Sequence, residues 1–273
     1  MKETYLKNLK EQKPVIHNIT NYVTVNDCAN IILACGASPI MADAIEEVEE
    51  ITTICNGLHL NIGTPNPNNI EAMILAGKRA NQLKHPVLLD PVGVGASKLR
   101  TDAAVRLVKE LDIQVIRGNI SEIKTLALGT NTVQGVDASI DDVVTKDNIK
   151  ETVGFIKKFA NETKAIIVVT GAIDIVANSE KAYVIYNGHE MMSRVTGTGC
   201  MLSAITTSYI AANNDALLEA TTTAVIAMGI CGEVAFERLS SHDGNSSYRN
   251  YIIDAMYHID QNQLEKRSKY DIY

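Results

Sequence analysis

The chain has 273 residues, with 25 Lys+Arg against 32 Asp+Glu, so 25 − 32 = −7 with His neutral, at 46% hydrophobic and 5% aromatic. An apolar fraction of that size beside 21% charged residues speaks for a packed globular core and against disorder. The acidic balance offers no electrostatic footprint for nucleic acid or an anionic membrane surface, which makes a small molecule the expected partner.

From Met1 to Lys10, charged residues interrupt the apolar run that an export signal needs, so a cytoplasmic location is expected. Further on, short apolar runs that stop at a polar residue alternate with longer segments of helical spacing. The runs 57–62, 87–90, 115–119 and 166–170 predict strands buried on both faces, while 67–83, 99–111 and 141–160 predict helices. The polar, acidic stretch 129–142 reads as a loop. A β-hairpin is expected from 173–177 and 182–186 around Asn178-Ser179, and helices from 200–212, 215–239 and 248–262. The uncharged stretch 195–214 has the length of a membrane span, but Gly197, Gly199, Thr206, Thr207, Asn213 and Asn214 make it a loop leading into a buried helix. This alternation predicts an α/β fold in one domain over residues 1–273, a mostly parallel sheet with helices on both faces.

In such sheets ligands bind at the carboxyl ends of the strands. That rule groups Asp90, Arg117, Asn119, Thr170 and the turn Gly197-Thr198-Gly199-Cys200 around one crevice. No G-x-x-x-x-G-K-[ST] occurs, and Gly93-Val-Gly95-Ala-Ser-Lys98 lacks a third glycine, which disfavours P-loop and Rossmann sites. Two glycines before an apolar helix expose consecutive N–H groups at a positive dipole end, an arrangement suited to an anion; the plainer alternative is a glycine turn before a core helix. Cys200 falls in the first turn of that helix, where a thiol pKa is expected to drop and the thiolate to accept a proton from a substrate hydroxyl; the alternative is a small buried hydrophobe.

Asp90 ends a strand before Pro91-Val-Gly93, where it either holds magnesium through water or caps the turn. Asn119-Ile-Ser-Glu122 has capping-box spacing, with a metal-bound phosphate as the other reading of Glu122. The histidines are scattered without metal-ligand spacing; His17 is expected to be structural, and Met41 to be pocket wall or core filler. Five cysteines, odd in number and without a C-x-x-C pair, argue against a disulfide framework, and Cys28, Cys35, Cys55 and Cys231 are assigned to packing.

Six blocks occur in order: His17-Asn-Ile-Thr-Asn21, Gly36-Ala-Ser-Pro-Ile-Met41, Leu60-Asn-Ile-Gly-Thr64, Leu89-Asp-Pro-Val-Gly93, Ile116-Arg-Gly-Asn-Ile-Ser-Glu122 and Val195-Thr-Gly-Thr-Gly-Cys200. Through them the sequence resembles the hydroxyethylthiazole kinase family. The resemblance implies a ribokinase-like three-layer α/β/α fold without a lid, assembled as a homotrimer with active sites at subunit interfaces. It implies transfer of the γ-phosphoryl of ATP, with Mg2+, to the primary alcohol of 4-methyl-5-(2-hydroxyethyl)thiazole. By motif, Met41, Gly197 and Asn21 then contact the thiazole, Arg117 and Thr170 contact ATP, Asp90 and Glu122 serve metal and phosphates through water, and residues 197–200 form an anion hole. Cys200 stands where related sugar kinases place an aspartate base. The resemblance shifts the Asn119–Glu122 segment and the glycine nest toward function. Two departures are Thr198, where alanine is common, and 242–248, which lacks a Gly-Pro-Gly-like turn. Rivals on the same fold are a hydroxymethylpyrimidine kinase, a nucleotide-dependent NAD(P)HX dehydratase and a non-enzymatic thiazole- or nucleotide-binding regulator.

Overall fold

The computed structural model describes residues 4–130 and 143–273. Its first half alternates regularly: α1 (Thr4–Gln12), β1 (Val15–Ile19), α2 (Val25–Cys35), β2 (Ser38–Met41), α3 (Val48–Ile54), β3 (Gly57–Asn61), α4 (Pro67–Leu83), β4 (Val87–Asp90), α5 (Lys98–Glu110), β5 (Val115–Asn119) and α6 (Ile120–Gly129). The second half runs α7 (Ile149–Thr163), β6 (Ile166–Thr170), β7 (Asp174–Ala177), β8 (Ala182–Ile185), a 3-10 turn (Glu190–Arg194), α8 (Thr198–Ala211), α9 (Leu217–Glu237), α10 (Asn245–His258), α11 (Gln261–Arg267) and β9 (Tyr270–Ile272).

Helix starts follow from side-chain caps. Asn66 accepts from the Asn69 amide with Pro67 in the first turn of α4, and Ser97 accepts from the Arg100 amide at α5. The strands form one sheet in the order β2-β1-β3-β4-β5-β6-β7-β8-β9. The pairings from β2 through β6 are parallel, and those from β6 to β9 are antiparallel. All residues of β3 and β4 are buried, as continuous apolar runs covered on both faces require. One apolar core packs α1, α2, α8, α9 and α10 against one face; the other packs α3 to α7 against the opposite face. Three layers therefore stand as expected. α9 is the described helix long and apolar enough to cross a membrane, yet 78% of its apolar window is buried within the protein.

Two predicted helices shift at both ends, the one expected over 141–160 to Ile149–Thr163 and the one expected over 248–262 to Asn245–His258. The helix expected over 141–160 begins at Ile149, because Asn148 binds the Val143 carbonyl and the Thr145 amide and closes the preceding turn instead. Residues 131–142, most of the predicted loop and the first residues of that predicted helix, lie outside the described residues. The helix expected over 248–262 ends at His258, since Asp260 and Gln263 form a capping box that starts α11. His17 lies inside β1, with its ring nitrogens 2.9 Å from Thr52 Oγ1 and the Ala42 carbonyl, in the structural role expected of it.

Candidate active site

Parallel register brings the strand ends together at one edge of the sheet. Asn61 and Asp90 are neighbours across β3 and β4, and Asn119 and Thr170 are neighbours across β5 and β6. Asp90 is fully buried. Its Oδ2 accepts hydrogen bonds from Asn61 Nδ2 and the Ser203 hydroxyl, both at 2.8 Å, and Arg117 Nη1 lies 3.4 Å from Oδ1. Arg117 Nη2 donates to Thr170 Oγ1 at 2.6 Å. A carboxylate withdrawn from water needs such donors. Burial still outweighs them and pushes the Asp90 carboxyl above the ordinary carboxylate range, against the pull of Arg117.

α8 packs across β1, β3 and β4 and starts at this same edge. Gly197, its N-cap, has φ 91°, and a Cβ there would come within 2.6 Å of Thr24 Cγ2. At Gly199 an added Cβ would fall 2.5 Å from Arg117 Nη2. Both positions need glycine for close approach, and Gly197 also for its left-handed backbone. First-turn amides of a helix lack intrahelical acceptors. With the Arg117 guanidinium laid against them, they form an arrangement whose chemistry suits an anion. The Thr198 hydroxyl turns away, donating to the Met192 carbonyl at 3.3 Å.

Cys200 Sγ accepts from Asn21 Nδ2 and Asn61 Nδ2, each at 3.4 Å. The thiol pKa expected to drop is instead raised: burial and then the neighbouring Asp90 charge override the hydrogen bond from Thr24, the Arg117 charge and the hydrogen bond from Asn21. Asn21 is held in turn, its Oδ1 accepting from the Thr24 amide and hydroxyl at 3.1 Å, while a Cβ on Gly63 would meet it at 2.9 Å. Glu122 completes a capping box with Asn119, and its other oxygen accepts from the Gly93 amide at 2.8 Å, joining the turn after Asp90 to α6. Met41 ends β2 opposite Asn18, half-buried at the margin of the core that contains Cys200. Among the described residues no three His, Cys, Asp or Glu side chains converge as a metal cage.

Beside this cluster opens a cavity of about 680 Å³, with Arg117, Thr170, Thr198 and Gly199 on its inner wall. Tyr186 to Glu190, Met192 and Ser193 also line it, and Leu202, Val225 and Met228 add apolar surface. The 242–248 segment is not part of that lining. Arg117 and Gly199 thus stand where the cavity meets the buried Asp90–Cys200 cluster. Sequence reasoning passed over Asn61, Ser203, Thr24 and Asp174. Asn61 carried a usable signal, since it ends a buried strand as Asp90 does. Asp174, whose carboxylate accepts from the Gly171 amide at 2.9 Å, is pushed up to about 7 by burial.

These features define the class, a ribokinase-like α/β fold with the buried Asp90–Arg117 pair and the glycine-flanked start of α8 at its strand ends. Pyridoxal kinase from Staphylococcus aureus, solved in complex with ADP, shares that fold with a TM-score of 0.62 at 14% identity, over 96% of this chain and 98% of its own. Hydroxyethylthiazole kinase from Pyrococcus horikoshii OT3 matches with a TM-score of 0.88 at 35% identity, over 99% of this chain and 98% of its own. In sequence, hydroxyethylthiazole kinase of Clostridium acetobutylicum is 62% identical over 268 residues, 98% of each chain, and that of Clostridium tetani 45% identical over 264 residues, 97% of this chain and 95% of its own. The sequence pattern of the hydroxyethylthiazole kinase family matches residues 6–262, and the chain belongs to that family.

Proposed function

We propose that this chain, working as a single domain, phosphorylates the primary hydroxyl of 4-methyl-5-(2-hydroxyethyl)thiazole with ATP, releasing ADP, in thiamine salvage. The observation that carries the reading is the convergence of Asp90, Arg117 and Cys200 on the first turn of α8 in a chain 62% identical to a hydroxyethylthiazole kinase.

Phosphoryl transfer needs alignment and charge neutralisation more than covalent chemistry. ATP occupies the cavity beside Arg117 and Thr170, which bind its phosphates. The anion hole of residues 197–200 holds the transferring group. Gly197, Asn21 and Met41 contact the thiazole. Cys200 orients the alcohol; with the thiol raised, its base role belongs to the thiolate fraction and grows with pH. Asp90 and Glu122 retain carboxylate lone pairs beyond their present hydrogen bonds, and these are the residues that would hold a Mg2+ ion, through water. The chemistry it would supply there is neutralisation of phosphate charge.

The proposal extends to a cytoplasmic homotrimer with sites at subunit interfaces. Exposed Tyr22 and Val23, at 79% and 58% of their surface, adjoin Asn21 and support a site completed by a second copy. Five free, buried cysteines fit a reducing compartment. The test is ADP release from Mg-ATP with hydroxyethylthiazole set against hydroxymethylpyrimidine. Release with the thiazole alcohol is expected; release with the pyrimidine alcohol alone overturns the substrate assignment.

A further inference from the structure

Arg100 occupies the first turn of α5, with its amide bonded to the Ser97 cap. A cation there opposes the helix dipole, so the position is unfavourable unless the guanidinium is used elsewhere. It reaches back to two loops. Nη1 donates to the Ile62 carbonyl at 3.0 Å and the Val92 carbonyl at 2.9 Å, and Nη2 donates to the Gly63 carbonyl at 2.7 Å. Those carbonyls lie directly beyond Asn61 and Asp90, the last residues of β3 and β4.

Both loops feed the site. The Gly63 amide donates to Asn61 Oδ1, and Asn61 in turn donates to Asp90 and to Cys200. On the other loop, the Gly93 amide donates to Glu122, and the Arg100 side chain lies so close that a Cβ on Gly93 would sit 3.1 Å from Arg100 Cδ. A rigid planar fork can bridge three carbonyls on two loops in a way a single flexible donor cannot. Arg100 is absent from the nucleotide-side cavity lining.

We infer that Arg100 is a positioning residue: its guanidinium straps the loops after β3 and β4 together and so fixes Asn61, Asp90 and Glu122 relative to one another. The inference rests on the phosphoryl-transfer reading for its kinetic consequence, but not for its structural one. Misplacing groups that align a reaction lowers turnover steeply. For Arg100→Ala, kcat with the thiazole alcohol is expected to fall at least about tenfold, while KM for ATP stays within about twofold. Arg100→Lys, which keeps the charge and loses the fork, falls between the two.

Hydrogen exchange supplies a readout independent of activity. The Gly63 and Gly93 amides are expected to exchange together, about tenfold faster in Arg100→Ala than in the wild type. Arg106→Ala is the control: it lies on the same helix in exposed pairs with Glu71 and Glu110 and leaves both amides unchanged. Acceleration of both amides supports the strap even if no alcohol is phosphorylated, a result that would sink only the kinase reading. Unchanged exchange at either amide overturns it, as does a KM for ATP that rises as far as kcat falls. If Arg100→Ala does not fold, the same criteria apply to Arg100→Lys.

Discussion

Replacing Asp90 by asparagine changes one atom and sets a buried cluster against itself. Both carboxylate oxygens face donors: Asn61 and Ser203 at Oδ2, Arg117 at Oδ1. An amide has one acceptor oxygen. Turned toward Asn61 and Ser203, it keeps two hydrogen bonds but points its NH2 at the guanidinium, donor against donor. Removing one partner of a buried ion pair costs about 3–5 kcal/mol. Three features discount that figure here: two hydrogen bonds survive, Arg117 is 13% exposed and keeps Thr170, and the burial that raises the Asp90 pKa no longer acts on a charge. The net loss is about 2–3 kcal/mol, or roughly 4–5 °C in Tm for a chain of this size. With Arg117 held by Thr170 alone and no longer by residue 90, kcat/KM falls by about a hundredfold or more. Thermal denaturation beside ADP-release kinetics checks both figures. An unchanged Tm with wild-type kinetics would refute the idea that this pair organises the site.

Gly199→Ala drives a methyl into the Arg117 guanidinium, 2.5 Å away and tethered to Asp90 and Thr170; KM for ATP should rise about tenfold or more, and an unaltered KM contradicts the anion seat. Cys200→Ala is expected to lower kcat at least about tenfold, whereas Cys200→Asp retains activity through an oxygen base; wild-type rates in both remove Cys200 from the mechanism. Alkylation of Cys200 should be slow at neutral pH and rise only in alkaline solution, because its thiol pKa is raised. Burial pushes the Asp174 carboxyl up to about 7 in the folded state, against about 4 in an unfolded chain, so the folded state holds its proton more tightly. Its contribution to stability is therefore present below about pH 4 and lost as pH rises toward about 7. Asp174→Asn should remove that slope in denaturant titrations, and a slope unchanged from wild type refutes it.

The central strands and the helices between them were legible because continuous apolar runs and helical spacing report burial on two faces and on one. α4 matches its predicted 67–83 bounds, since Asn66 and Pro67 mark its start in sequence. The starts of α7 and α11 were not, because each depends on a side chain choosing between local backbone partners, Asn148 in one case and Asp260 in the other. At the site, strand-end logic alone grouped Asp90, Arg117, Thr170 and the α8 turn. The Cys200 thiol was read the wrong way: its place in a helix was visible in sequence, but not its burial against Asp90. Ser203 and Thr24 reach the cluster only through the packing of α8 over the sheet, a relation no local pattern carries. Glu122 satisfies its capping-box reading in full while facing the turn after Asp90, so one spacing holds both a structural role and the proposed functional one.

The most direct test of the account is product identity. Purified protein incubated with Mg-ATP and 4-methyl-5-(2-hydroxyethyl)thiazole should yield ADP and the thiazole monophosphate in equal amounts by mass spectrometry, with the phosphate on the primary hydroxyl. ADP formed without a phosphorylated thiazole, or no ADP above the alcohol-free control, would contradict it.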